Sequence, residues 1–141
     1  MHPVLLILIL LGAIWLLLNA MRVATGTQGP NRAQRQAFEE CDQLVPKGYL
    51  AESCSNVDDM QWQFGQALAR ARISQDAFQL SEALHGLARA RIKKGDGKSA
   101  VPLLEEALTH EPNWYKPRQI YSDGIRRELE EAKAIAAKQT E

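Results

Sequence analysis

The chain begins with an apolar stretch from which charge is excluded. Every residue from position 4 to 18 is apolar or glycine, and the uncharged stretch with its flanks covers residues 3–21. A helix of that length spans roughly 28 Å at about 1.5 Å per residue, close to the thickness of a bilayer core. The pattern predicts a transmembrane helix or uncleaved signal anchor over residues 1–21. The alternative is a cleaved signal peptide, for which the chain lacks the usual basic n-region.

Arginines flank this stretch only on its C-terminal side. Arg22, Arg32 and Arg35 follow it, whereas the N-terminal flank offers only the amino terminus and His2. Positive flanking charge favours the cytoplasmic side, so the rest of the chain is predicted to be cytoplasmic rather than periplasmic or extracellular.

Two cysteines bear on the same question. Cys41 and Cys54 lie on either side of a Pro-Lys-Gly break at residues 46–48, where a hairpin could bring them together. A disulfide between them would indicate an oxidising compartment. The alternative is that both are small buried apolar residues.

Beyond a short flexible stalk at residues 22–30, apolar residues recur three and four positions apart, as in amphipathic helices. No stretch alternates in the manner of a β-strand, so the domain at residues 31–141 is predicted to be all-α. The predicted helices cover residues 31–45 (ending before Pro46), 55–73 (opening at Ser55), 74 to the turn at 95–97 (with Ser74 as N-cap), 98–110, and from near 117 or 122 to 138.

The segment at residues 81–114 contains the most informative motif. Small residues recur where two antiparallel helices would approach closely, leucines surround them, and a proline ends the second helix. These positions are Leu84, Leu87, Ala88, Ala100, Leu104, Ala107 and Pro112. The segment resembles one tetratricopeptide repeat, although Arg91 stands where that family usually has Tyr. The resemblance implies a stack of helical hairpins, because one repeat cannot bury its own faces. Residues 55–73 would be part of a degenerate preceding repeat, and the helix at about 117–138 would cap the stack.

The resemblance also implies a protein-binding scaffold whose groove is lined by the first helix of each repeat. Carried onto this chain, the groove positions are Glu82, His85, Arg89 and Ile92, and the expected partner is a peptide or helix. The alternative for these four is ordinary surface, which for His85 is the simplest interpretation. Trp62 and Trp114 are alternative contact residues, although such residues are more often part of core or hairpin packing.

Composition gives no indication of catalysis. Acidic and basic residues number 17 each, so the formal net charge is zero, and there is no basic excess of the kind that nucleic-acid binding requires. The chain lacks a phosphate-binding loop, a nucleophile motif and metal-ligand spacing. We therefore expect no enzyme activity, no catalytic residue, no metal, no cofactor and no small-molecule substrate.

Two functions fit these observations best. The first is a single-pass membrane-anchored adaptor that binds a protein partner at the membrane surface, with residues 3–21 in contact with lipid. The second is an accessory or assembly subunit of an integral membrane complex, in which Gly12 and Ala13 allow close helix packing. A third, less favoured function is that of a secreted or periplasmic helical protein from which the first 20 residues are removed.

Overall fold

The computed structural model describes residues 12–17, 29–114 and 119–140. Residues 12–17 are helical and exposed, and they belong to a unit, Met1–Asn31, that is separate from the compact unit Arg32–Glu141. Within the described residues, no helix has the length and apolar character needed to cross a bilayer. Most of the predicted anchor at residues 1–21 and of the stalk at 22–30 lies outside the described residues.

The second unit is built from helices. In chain order they are α1 (Arg32–Ser53), α2 (Val57–Ser74), α3 (Ala77–Lys93), α4 (Gly97–Thr109) and α5 (Gln119–Lys138), with a short 3-10 helix at Glu111–Asn113. No described residue belongs to a β-strand. The predicted all-α class is therefore confirmed.

The helices form two layers. Each helix packs on the next, and the short connections make consecutive helices antiparallel. In addition, α1 contacts α3 and α3 contacts α5, which places these three helices side by side in one layer. An ion pair between Arg72 and Glu106 (3.3 Å) links α2 and α4 in the other. Because α3 contacts all four other helices, it is buried over most of its circumference.

Three of the helices begin at side-chain caps. The side chains of Asn56, Asp76 and Asp96 accept hydrogen bonds from backbone N–H groups three residues later, at 2.9 to 3.1 Å. The predicted caps Ser55 and Ser74 are thus wrong by one and two residues. Asn and Asp have longer polar side chains than Ser and are at least as strongly preferred as N-caps. Gly95 makes the turn before α4 with a φ of 73°.

The predicted end of the first helix at Pro46 is also wrong, because α1 continues through Pro46 to Ser53. Proline inside a helix removes one hydrogen bond and costs about 3 kcal/mol. Here the ring is exposed, while Gly48 and Ala51 in the next turn are buried. We attribute the continuation of the helix to the packing of this last turn of α1 against α2, which offsets the cost.

This continuous helix excludes the considered disulfide. Cys41 is fully buried within α1, whereas Cys54 is exposed one residue beyond its end, and both thiols are free. Thirteen residues of helix separate the two Cα atoms by roughly 20 Å, while a disulfide requires less than about 7 Å. Cys41 therefore acts as a small core residue, and the cysteines give no information about the compartment.

The core lies between the two layers. Its largest fully buried side chains include Met60, Phe64, Leu84, Leu104 and Ile125. Where α3 and α4 meet, Ala88, Ala100 and Ala107 are completely buried, whereas Leu87 is only half-buried and Pro112 is exposed. Small side chains at this interface let the two helices approach closely.

Candidate functional site

A groove of about 730 Å³ lies between α3 and the first half of α5. Two turns of α3 form one wall, and the N-terminal two and a half turns of α5 form the other. The lining side chains are His85, Arg89, Gln119, Ile120, Tyr121, Gly124, Arg127 and Glu128.

The wall formed by α3 contains a buried histidine. His85 is 6% exposed, and its Nε2 atom lies 2.6 Å from Oε2 of Glu128 on α5. Its ring also packs against that of Tyr121, with centroids 5.2 Å apart. The simplest interpretation of the sequence, a surface histidine, is therefore wrong. That interpretation failed because the periodicity of α3 alone does not show that α5 covers this face.

A charged network extends from this histidine across the layer. Oε1 of Glu128 lies 3.6 Å from Nε of Arg89, and Nη2 of Arg89 lies 2.6 Å from Oε1 of Glu52 on α1. Nζ of Lys93 is 3.6 Å from the same Glu52 oxygen. The side chain of Glu52 is only 14% exposed, so these interactions are less screened than a surface ion pair. The network links α1, α3 and α5 and fixes the position of the groove walls.

An aromatic cluster supports the groove at the start of α5. Phe78, Trp114 and Tyr121 pack with ring centroids 5.5 to 5.7 Å apart. Trp114 is 6% exposed, and its Nε1 donates a hydrogen bond to Oγ of Ser81 at 3.1 Å. Trp114 is therefore a packing residue rather than a surface contact residue.

The outer part of the groove has different properties. Ile120 is 91% exposed, and a Cβ atom added to Gly124 would meet nothing within 4 Å. Arg127 is exposed and makes no ion pair with any described residue. An apolar side chain, open space and an uncompensated positive charge thus follow one another along α5.

Two polar atoms at the groove lack hydrogen-bond partners within the described chain. They are Nδ1 of His85 and the hydroxyl of Tyr121, and both are buried. Burial is the main cause that raises the pKa of Tyr121 above its usual range, so its hydroxyl remains protonated. Buried polar atoms without partners are uncommon in proteins and require an explanation.

The structure separates the four groove residues that the repeat resemblance implies. His85 and Arg89 line the groove between α3 and α5. Glu82 instead accepts a hydrogen bond from the hydroxyl of Tyr49 on α1 at 3.3 Å. Ile92 lines a smaller neighbouring cavity of about 180 Å³ together with Arg89 and Glu131.

The contribution of α5 was not predicted from the sequence. That helix was expected only to cap the stack, whereas its Arg127 and Glu128 line the groove. The available signal was Gly124, an unfavourable residue in a helix interior that commonly has a packing or functional reason.

An exposed aromatic residue lies outside the groove. Trp62 on α2 is 59% exposed, beside a cavity of about 200 Å³ between α1 and α2. Lys47 and the ion pair of Glu40 with Arg70 (2.8 Å) also border this cavity.

The residues that the structure describes contain no cluster of three or more His, Cys, Asp or Glu side chains that could hold a metal ion.

Comparisons of the chain with protein-family models, curated proteins and solved structures find no match.

Proposed function

We propose that this chain is a single-pass membrane-anchored adaptor, whose tetratricopeptide-like helical domain binds a segment of a partner protein at the membrane surface. The uncharged residues 3–21 would form the anchor, because they match the length and composition of a membrane-spanning helix. The arginines that follow this stretch favour a cytoplasmic position for the domain.

The order of the helices supports the repeat interpretation. The motif at residues 81–114 coincides with α3, α4 and the short 3-10 helix, and its small residues lie in the interface between the two long helices. Helices α1, α3 and α5 are neighbours in one layer, which is the position of the first helices of successive repeats in a tetratricopeptide stack. The polar outer face of α5 suits a terminal capping helix.

The groove between α3 and α5 is the single observation that carries the binding function. Ile120 contributes little to the core because it is 91% exposed, and Arg127 has no ion-pair partner in the described chain. Both border a concave surface whose walls are fixed by the His85–Glu128 contact. Concave, mostly apolar sites with a few polar groups are typical of ligand binding.

Site-directed photo-cross-linking in native membranes tests this proposal. A photoreactive amino acid at position 120 should form discrete protein adducts, because a bound partner would cover that position. The same amino acid at position 65 is the matched control, since Gly65 lies on α2 outside the groove. Substitution of Gly124 by Leu should remove the adducts at position 120 by filling the groove. Equal adduct patterns at both positions would refute the adaptor function.

The anchor can be tested in the same experiment. Replacing residues 3–21 by an unrelated apolar helix should leave the adducts from position 120 intact, because the adaptor uses the anchor only for attachment. Loss of the adducts, with the chain still in the membrane, would instead favour an accessory subunit whose transmembrane helix makes the specific contacts.

A further inference from the structure

We propose that the groove binds an extended segment of the partner protein in which an acidic side chain lies three residues from a large apolar one. This inference rests on the adaptor function and adds the chemistry of the bound segment.

The charge of the bound segment can be inferred from which charged side chains of the groove are already paired within the protein. Both oxygens of Glu128 are engaged, one by His85 at 2.6 Å and the other by Arg89 at 3.6 Å. Arg89 is engaged in turn by Glu52 at 2.6 Å. Arg127 is the lining residue whose charge no described residue compensates. A segment that fits this groove therefore supplies a carboxylate at Arg127.

The apolar requirement comes from the other end of the groove. Ile120 is almost fully exposed and directly precedes Tyr121 in the chain, and both residues border the groove. An apolar side chain of the partner would cover this surface and remove it from water. Gly124 lies between the two ends and leaves room for the partner's backbone to approach α5.

The length of the groove sets the length of the segment. From residue 119 to 128, α5 advances about 13.5 Å, a distance that an extended segment of about four residues covers.

The spacing of the two side chains follows from the distance along α5. Ile120 and Arg127 are separated by about 10.5 Å of helix rise. In a polyproline II conformation, residues three apart face the same side and are about 9.3 Å apart. A segment in this conformation can therefore place an apolar side chain on Ile120 and an acidic one at Arg127.

The buried polar atoms below the groove fit this occupant. Nδ1 of His85 and the hydroxyl of Tyr121 have no hydrogen-bond partner within the described chain, while Nε2 of His85 is engaged by Glu128. An extended backbone has free N–H and C=O groups for both atoms, whereas a helix has already paired its own. Small side-chain rotations on binding would bring these groups together.

Fluorescence anisotropy with synthetic peptides tests the inference on the detergent-solubilised full chain. The probes are fluorescein-labelled peptides with a Leu-Pro-Pro-Glu or Glu-Pro-Pro-Leu core, because the chain direction in the groove is open. One of them should bind saturably, and changing its Glu to Gln should weaken binding about threefold to tenfold. Arg127→Gln should weaken binding of the Glu peptide by the same factor and leave the Gln peptide unaffected.

Matched variants assign the binding to the groove. Gly124→Leu should abolish binding, while Gly65→Leu should preserve it, and circular dichroism should show equal helix content in both. The inference would be overturned by equal binding of the Glu and Gln peptides, by binding that survives Gly124→Leu, or by no binding up to about 1 mM. Tighter, Arg127-dependent binding of an Ala-rich helical peptide with Leu and Glu seven residues apart would also overturn it.

The two proposals can fail separately. If position 120 forms adducts in membranes but the extended peptides do not bind, the adaptor function stands and the proposed chemistry of the segment is wrong. If neither adducts nor peptide binding is observed, both proposals are wrong.

Discussion

The ring of Phe64 lies so close to the backbone of Gly86 that a Cβ atom at position 86 would come within 3.0 Å of it. Gly48 meets the opposite edge of the same ring in the same way. Phe64 therefore extends from α2 between α1 and α3, and its ring also packs edge-on against Tyr49 at 5.2 Å. The close contact between these three helices therefore depends on the large side chain of Phe64 and on the lack of side chains at Gly48 and Gly86.

We expect Gly86→Ala to destabilise the domain by about 1–3 kcal/mol, because the added methyl group forces Phe64 out of its position. Chemical denaturation monitored by circular dichroism measures the change in the free energy of unfolding. The matched control is Gly65→Ala, where a Cβ atom meets open space. That substitution should stabilise its helix by about 0.5–1 kcal/mol. Equal effects of the two variants would show that Phe64 is not tightly confined.

A second prediction concerns the buried hydroxyl of Ser81. Its Oγ donates to the carbonyl of Ala107 at 2.5 Å and accepts from Nε1 of Trp114 at 3.1 Å, so it connects α3 to α4 and to the chain that follows α4. Ser81→Ala leaves Nε1 of Trp114 buried and unpaired, whereas the carbonyl of Ala107 still accepts from the backbone N–H of His110 at 3.3 Å. The substitution should cost about 1–3 kcal/mol of stability.

Comparison with Trp114→Phe separates the two bonds of Ser81. Phe retains an aromatic ring but has no N–H group, so only the second bond is lost. In a double-mutant cycle, the effects of Ser81→Ala and Trp114→Phe should add to more than the effect of the double variant. Strict additivity would contradict an energetic link between Ser81 and Trp114.

How much of the fold can be predicted from the sequence depends on how far apart in the chain the interacting residues lie. The amphipathic helix at residues 55–73 was predicted from local spacing, and its apolar stripe, which includes Met60, Phe64 and Ala71, is buried. The extension of α1 beyond Pro46 was not predicted, because it depends on packing against a different helix. For the candidate site, the position of His85 depends on α5, which lies more than thirty residues later in the chain. Single-helix periodicity contains no information about such contacts.

A third prediction concerns acid stability. Asp96 caps α4, and its pKa is lowered by two hydrogen bonds that Ser99 donates to its carboxylate. The bond from the Ser99 side chain has the larger effect, and the bond from the Ser99 backbone N–H has the smaller one. A carboxylate whose pKa is lowered on folding stabilises the fold above the unfolded-state pKa and loses this effect as pH falls through the folded-state value. The melting temperature should therefore drop between about pH 4 and pH 2.

Asp96→Asn isolates this contribution, because asparagine also caps helices but does not titrate. The variant should have a shallower dependence of melting temperature on pH over the same range. Asp58 will retain part of the acid sensitivity, since a hydrogen bond from Lys94 lowers its pKa as well. If Asp96→Asn leaves the pH dependence unchanged, the carboxylate of Asp96 does not contribute to acid stability.

The fourth prediction concerns the two thiols. Burial, followed in importance by the nearby negative charges of Glu82, Asp42 and Asp76, raises the pKa of Cys41 to about 12. Cys54 is exposed, and because only the thiolate is nucleophilic, the two should differ greatly in reactivity. At about pH 8, we expect iodoacetamide to modify Cys54 at least tenfold faster than Cys41 in the full chain, as measured by mass spectrometry. Unfolding in guanidinium chloride should abolish the difference, because it removes the burial of Cys41. Equal rates in the native protein would contradict a continuous, well-packed α1, since Cys41 could then react only if that helix opened readily.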